Sequence, residues 1–153
     1  MVDYVLKQLY DRRKQIGRGE IINFSPATFN PSPYLFTRIG DGSIGGKGRG
    51  LGFINAIIAQ FNLENKFPEI QIGVPPTLVL TTDIFDQFME DSNLFDISLN
   101  RNTSDELMLE SFMKFGTFRQ PIISDLKVFL QRIRFPLAVR SSSLFEGFFF
   151  LFI

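Results

Sequence analysis

Between Ile39 and Leu51 the chain reads GDGSIGGKGRG. Gly40, Gly42, Gly45, Gly46, Gly48 and Gly50 surround a single lysine, Lys47. Glycine has no side chain to keep an oxyanion away, so a glycine-rich turn lets backbone N–H groups close on a phosphate. If a strand enters the turn and a helix leaves it, the helix N-terminus adds partial positive charge at the same place. Lys47 falls at that helix start, as a movable point charge for phosphate. The competing reading of the same residues is a tight glycine turn with a solvent-exposed lysine.

Two phosphate-loop patterns can be set against the spacing. The Walker pattern G-x-x-x-x-G-K-[ST] fails at both ends. Counted from Gly46 and Lys47, its first glycine falls on Asp41 and its hydroxyl on Gly48. The dinucleotide pattern G-x-G-x-x-G fits Gly40, Gly42 and Gly45. Its confirming acid should end a second strand about 20 residues on. Glu64 stands at that distance but just past the helix, in NLENKFPE.

Composition narrows the chemistry. The 153 residues include no cysteine and no histidine. Disulfides, thiolate chemistry, Ser-His triads and His-ligated zinc are excluded, as is a phosphohistidine carried on this chain. Carboxylate-held magnesium stays open. Sixteen basic residues balance 16 acidic ones, so no global field draws in nucleic acid or an anionic membrane. The DRRK run at 11–14 reads as a solvated helix face. No apolar run approaches the ~20 residues of a membrane span, and the N-terminus lacks a signal-peptide pattern. The expectation is a soluble, cytoplasmic protein without a nucleic-acid or membrane partner.

The elements that must position the loop follow from periodicity. VDYVLKQLYDRRKQI (2–16) suits a helix, stopped by Gly17 and Gly19. NFSPATFNPSPY, with prolines at 26, 31 and 33, reads as an extended linker or surface wrap. The division expected is a helix and linker over 1–33, a compact domain over 34–147 and an apolar tail over 148–153. YLFTRI is a strand candidate. Leu51, Ile54, Ile57, Ile58 and Phe61 recur at helical spacing and predict a helix over about 46–61. EIQIGVPPTLVLTT is strand-like on both sides of Pro75 and Pro76. Thr82 or Asp83 caps a helix carrying Ile84, Phe85, Phe88 and Met89. Thr103 and Glu106 fit a capping box ahead of Met108, Phe112 and Phe115. Pro121 opens a helix with Ile122, Leu126, Leu130 and Ile133 on one face. LAVRSSS reads as a short buried strand that turns polar. Strands alternate with helices, so the class is α/β or α+β.

Three pieces in order resemble one family: GGKGRGL at 45–51, VPPTLVLTTDIFDQFM at 74–89 and PLAVRSSSLFE at 136–146. Together they are similar to the N-terminal ATP-binding region of phosphoenolpyruvate synthase and pyruvate phosphate dikinase, over roughly 36–147. The resemblance implies part of an ATP-grasp fold. It implies that Lys47 and Arg140 contact ATP phosphates, with Gly45, Gly46, Gly48, Ser141 and Ser142 around them. Both cations suit the task, arginine as a planar fork and lysine as a movable charge. It further implies phosphoryl transfer from ATP to a histidine and then to pyruvate, with catalysis mostly by positioning and charge neutralisation.

This sequence departs from the family pattern in two places. Thr77 stands where a glycine is usual, and Glu146 is followed by Gly147 where a second acid is usual. The family's second lobe, with its magnesium-binding carboxylates, and its phosphohistidine and pyruvate-binding domains lie downstream. The expectation is therefore the ATP-binding portion of such an enzyme, a fragment that binds ATP weakly or not at all alone, has its Mg2+ ligands outside this chain and is inactive alone. FFFLFI at 148–153 has no polar gatekeeper, so it is either a buried strand or, the preferred reading, a truncation or frame-shift scar. Two alternatives stay open: a non-catalytic nucleotide- or phosphate-binding module, and a related dikinase with another acceptor.

Overall fold

FTRI, the last four residues of the strand expected in YLFTRI, forms the centre of a parallel sheet. The computed structural model describes residues 19–31, 35–141 and 151–152; the helix expected at 2–16 lies outside them. In chain order the elements are β1 (Ile21–Asn23), β2 (Phe36–Ile39), α1 (Gly45–Gln60), α2 (Leu63–Lys66), β3 (Thr77–Leu80), α3 (Thr82–Asp91), α4 (Phe95–Leu99), α5 (Asp105–Phe115), α6 (Gln120–Arg132), β4 (Ala138–Val139) and β5 (Leu151–Phe152). The sheet order is β1-β2-β3, parallel throughout, with Phe36 opposite Ile21 on one side and Thr77 on the other. This is a mixed α/β fold with a small parallel sheet. No helix among the described residues is long and apolar enough to cross a membrane.

Alternation along the strands divides the core. One face packs Phe36 with Ile58 of α1 and Val74, flanked by Ile21 and Val79. The other packs Phe29 with Phe129 and Ile133 at the end of α6, flanked by Leu35, Leu78 and Leu137. Thr37 points into this interior and donates its hydroxyl to the Thr77 carbonyl at 3.1 Å, so its burial leaves no polar group unsatisfied. Helices on both faces and parallel strands between them are the arrangement βαβ crossovers require.

Several sequence expectations are corrected. Edge strand β1 ends where the proline-containing stretch expected as a linker begins, at Asn23, and that stretch holds a buried anchor: the Phe29 ring lies 5.3 Å from Phe129 and 4.9 Å from Phe24. Only the segment after Pro75 and Pro76 is a strand, because two residues without N–H groups cannot sustain a ladder before it. The cap of α3 is Thr81, one residue early, and that of α5 is Ser104, one late, its hydroxyl accepting from Leu107 N–H. The buried strand expected in LAVRSSS is the two-residue β4, with Ala138 and Val139 both exposed and paired antiparallel with Leu151 and Phe152; Ser142 and Ser143 lie outside the described residues. Helix α1 lies at the expected bounds but turns Gly48, Gly52, Asn55 and Ile58 inward, leaving Leu51 (37%), Ile54 (49%) and Phe61 (50%) outside. On α6 the expected face holds at Ile133, which is buried, and at Ile122 and Leu126, which are partly buried; Leu130 is exposed and Phe129 is buried instead.

Candidate functional site

The loop between β2 and α1 turns at Gly40, whose φ of 97° lies where side chains are strained. A Cβ there would sit 2.0 Å from Thr81 Oγ1. The loop is sewn to the start of α3. Asp41 N–H donates to Asp83 Oδ2 at 3.1 Å and Gly42 N–H to Asp83 Oδ1 at 2.9 Å. Ser43 N–H donates to Thr82 Oγ1 at 3.0 Å, and Thr82 N–H returns to the Ser43 carbonyl at 2.9 Å. The Thr81 hydroxyl sits between the Ile39 carbonyl and the Asp83 carboxylate. That hydroxyl, with the Asp41 and Gly42 amides, holds the Asp83 carboxyl down at about 2 against an ordinary 3.8.

The other side of the loop begins α1. Gly45 is again left-handed, at φ 71°, and its N–H donates to Ser43 Oγ at 3.2 Å. Arg49 Nη1 donates to the same hydroxyl at 3.4 Å. Among the described residues, nothing lies within 4 Å of a Cβ built on Gly46 or Gly50, so no described side chain covers these two positions. Gly48 differs: a Cβ there would come within 3.2 Å of the Ile44 side chain. Lys47 extends to β4 and donates from Nζ to the Ser141 carbonyl at 3.4 Å, across 94 residues of sequence.

The structure thus brings Lys47, at the start of α1, to the Arg140–Ser141 end of β4. Gly45, Gly46 and Gly48 share that helix start, and Arg140 and Ser141 are exposed there. Ser142 lies outside the described residues. Glu64, the acid required for a dinucleotide site, falls in the short helix α2 rather than at a strand end. The sequence reading missed Asp83 as a loop ligand. Thr-Thr-Asp ahead of a helix signals a cap, and nothing local says that the side chains turn to a loop some 40 positions upstream.

Among the described residues, no group of three or more His, Cys, Asp or Glu could hold a metal ion. Asp83 spends both oxygens on loop amides, and Asp41 lies 4.0 Å from the Arg38 guanidinium. The carboxylates at this loop therefore do not fit a resident magnesium. What the site offers is a lysine at a helix N-terminus, a combination that suits a phosphate-bearing ligand. Comparison with protein-family models, with curated proteins and with solved structures found no match for this chain.

Proposed function

We propose that this chain forms the ATP-binding part of a cytoplasmic phosphotransferase resembling phosphoenolpyruvate synthase, as the N-terminal portion of an ATP-grasp domain. One observation carries the reading: Lys47 Nζ reaches the Ser141 carbonyl at 3.4 Å, which joins two of the motifs that carry the resemblance. Two loops so distant in sequence have no local reason to meet. Once packing has brought them together, a single triphosphate would lie within reach of both.

In this reading the Lys47 ammonium leaves a long contact with a neutral carbonyl for a phosphate oxygen, where charge strengthens the bond. Arg140 offers its fork from the β4 end. The first turn of α1 adds its dipole, and the Gly46 face, which no described side chain covers, lets an oxyanion reach the backbone. Together they neutralise and orient the triphosphate, the larger part of what a protein contributes to phosphoryl transfer. The histidine that accepts the phosphoryl group belongs outside this chain, which has none. The same holds for the magnesium ligands and the pyruvate site.

Isothermal calorimetry with magnesium and ATP tests the reading. Wild type is expected to bind weakly, and Lys47→Ala and Arg140→Ala to weaken binding by about tenfold each, a change of about 1.4 kcal/mol. Unchanged affinity in both variants would refute the clamp. Pyruvate-dependent ATP consumption by the chain alone would refute its being one part of the machinery. Tight binding without any further lobe would favour a nucleotide-sensing module instead.

A further inference from the structure

Successive backbone N–H groups in a glycine turn form a concavity that binds anions. In this protein the concavity already holds one. Asp83 places one carboxylate oxygen on the Asp41 amide at 3.1 Å and the other on the Gly42 amide at 2.9 Å. The Ser43 amide is taken by Thr82 Oγ1 and the Gly45 amide by Ser43 Oγ. The loop packs so closely on Asp83 that a Cβ on Gly42 would lie 2.5 Å from Oδ1. A second anion has no room there and would meet a like charge.

We propose that Asp83 is a positioning residue of the candidate phosphate site: its carboxylate fills the loop's amide nest from within, which fixes the loop that aims Lys47 and directs a ligand phosphate to the Gly46 face of α1 instead. The identity of the ligand rests on the ATP reading above; the role of Asp83 rests on the loop geometry alone. The route from one residue to the other is continuous. Asp83 and Thr82 hold residues 41–43, the Ser43 hydroxyl holds the Gly45 amide and Arg49, and Gly45 begins the helix turn that carries Lys47. The site then has two faces of opposite kind. One is filled by the protein's own carboxylate. On the other, no described residue comes within 4 Å of a Cβ on Gly46. A carboxylate whose proton is lost well below its ordinary range keeps the filled face filled across the working pH.

The test is amide NMR on the 15N-labelled full chain, as wild type, Asp83→Asn and Asp83→Ala, with and without magnesium and ATP. In Asp83→Ala, hydrogen exchange at Asp41 and Gly42 rises by at least about tenfold as the loop opens locally. Asp83→Asn, which keeps one acceptor oxygen, falls between, and ATP affinity drops in the same order. In wild type, ATP shifts the amides of Gly46 and Lys47 and leaves those of Asp41 and Gly42 in place. Unchanged exchange at Asp41 and Gly42 in Asp83→Ala overturns the role of Asp83, whatever ATP does. Largest ATP shifts at Asp41 and Gly42 overturn it too, because the ligand then enters the nest. If ATP shifts no amide while exchange still rises in Asp83→Ala, the ATP reading fails and the positioning role stands. Should Asp83→Ala not fold, wild type decides: the Asp41 and Gly42 amides must move together with the Asp83 carboxyl signal on acidification, and amides that stay still as it protonates refute the proposal.

Discussion

Helix α3 carries a carboxylate at each end, and the two are held in opposite ways. Asp83, in the first turn, is bound by main-chain amides of the glycine loop and by the Thr81 hydroxyl. Asp91, in the last turn, is bound by the Arg119 guanidinium, with Nε at 2.7 Å and Nη2 at 3.0 Å. Both carboxyls are pulled below their ordinary pKa, Asp83 chiefly by the hydroxyl and Asp91 chiefly by the Arg119 hydrogen bonds. The helix dipole favours an acid at the first position and opposes one at the last, so Asp91 needs a cation where Asp83 does not. The partners differ in what they can do. Arg119 is a long, solvated side chain that can let go without moving the backbone. The partners of Asp83 are the backbone itself, so its bonds are the shape of the loop. One carboxylate decorates a surface, and the other builds a site.

The contrast can be broken from several sides. Gly40→Ala should cost most, about 3 kcal/mol in urea unfolding, since it adds left-handed strain to a 2.0 Å clash with Thr81 Oγ1. A wild-type midpoint in that variant would show that the loop is not tied to α3. Asp83→Ala should cost about 2 kcal/mol, because it strands two amides that a half-buried carboxylate satisfies. Acid should act through the same residue. A carboxyl at about 2 when folded and 3.8 when unfolded gives stability that is present above the higher value and lost as pH falls toward the lower. Unfolding measured across that window should weaken less steeply in Asp83→Asn than in wild type. At the other end of α3, Arg119→Ala should leave the unfolding midpoint nearly unchanged, as exposed ion pairs do, and 1 M salt should erase whatever remains. A large loss there would remove the distinction between the two ends. Gly46→Ala should have the smallest effect on folding, nothing beyond error, because a Cβ there meets no described residue within 4 Å. Weaker ATP binding in that otherwise stable variant would mark the Gly46 face as the ligand's.

Much of the skeleton was legible. FTRI is a strand, the helix after the glycines starts and stops where its spacing says, and Pro121 sits in the first turn of α6. Rotation about the helix axes was not legible. The apolar residues of α1 predict a buried stripe through Leu51, Ile54 and Phe61. The helix instead approaches the sheet on its small residues, with Gly52 so near Ile21 that a Cβ would lie 2.9 Å from its Cδ1. Close packing through glycine rewards backbone proximity, and a hydrophobic periodicity carries no record of it. The Phe29 anchor was hidden for another reason. Prolines on both sides read as linker, while its burial depends on Phe129, a residue a hundred positions on.

By itself the sequence determined where the chain could turn, because glycine takes the φ of 97° at position 40 and 71° at position 45 without strain, and it determined that the loop carries a lysine at a helix start. Tertiary structure alone decided which anion the loop holds. The amides at 41 and 42 would accept a ligand phosphate or a protein carboxylate equally, and hydrogen bonding does not distinguish them. The pairing of β2 with β3 brings Thr81, Thr82 and Asp83 beside the loop, so the carboxylate already in the chain fills the nest. The reach of Lys47 to Ser141 has the same origin, for a contact across 94 residues exists only once strand and helix packing has closed the distance.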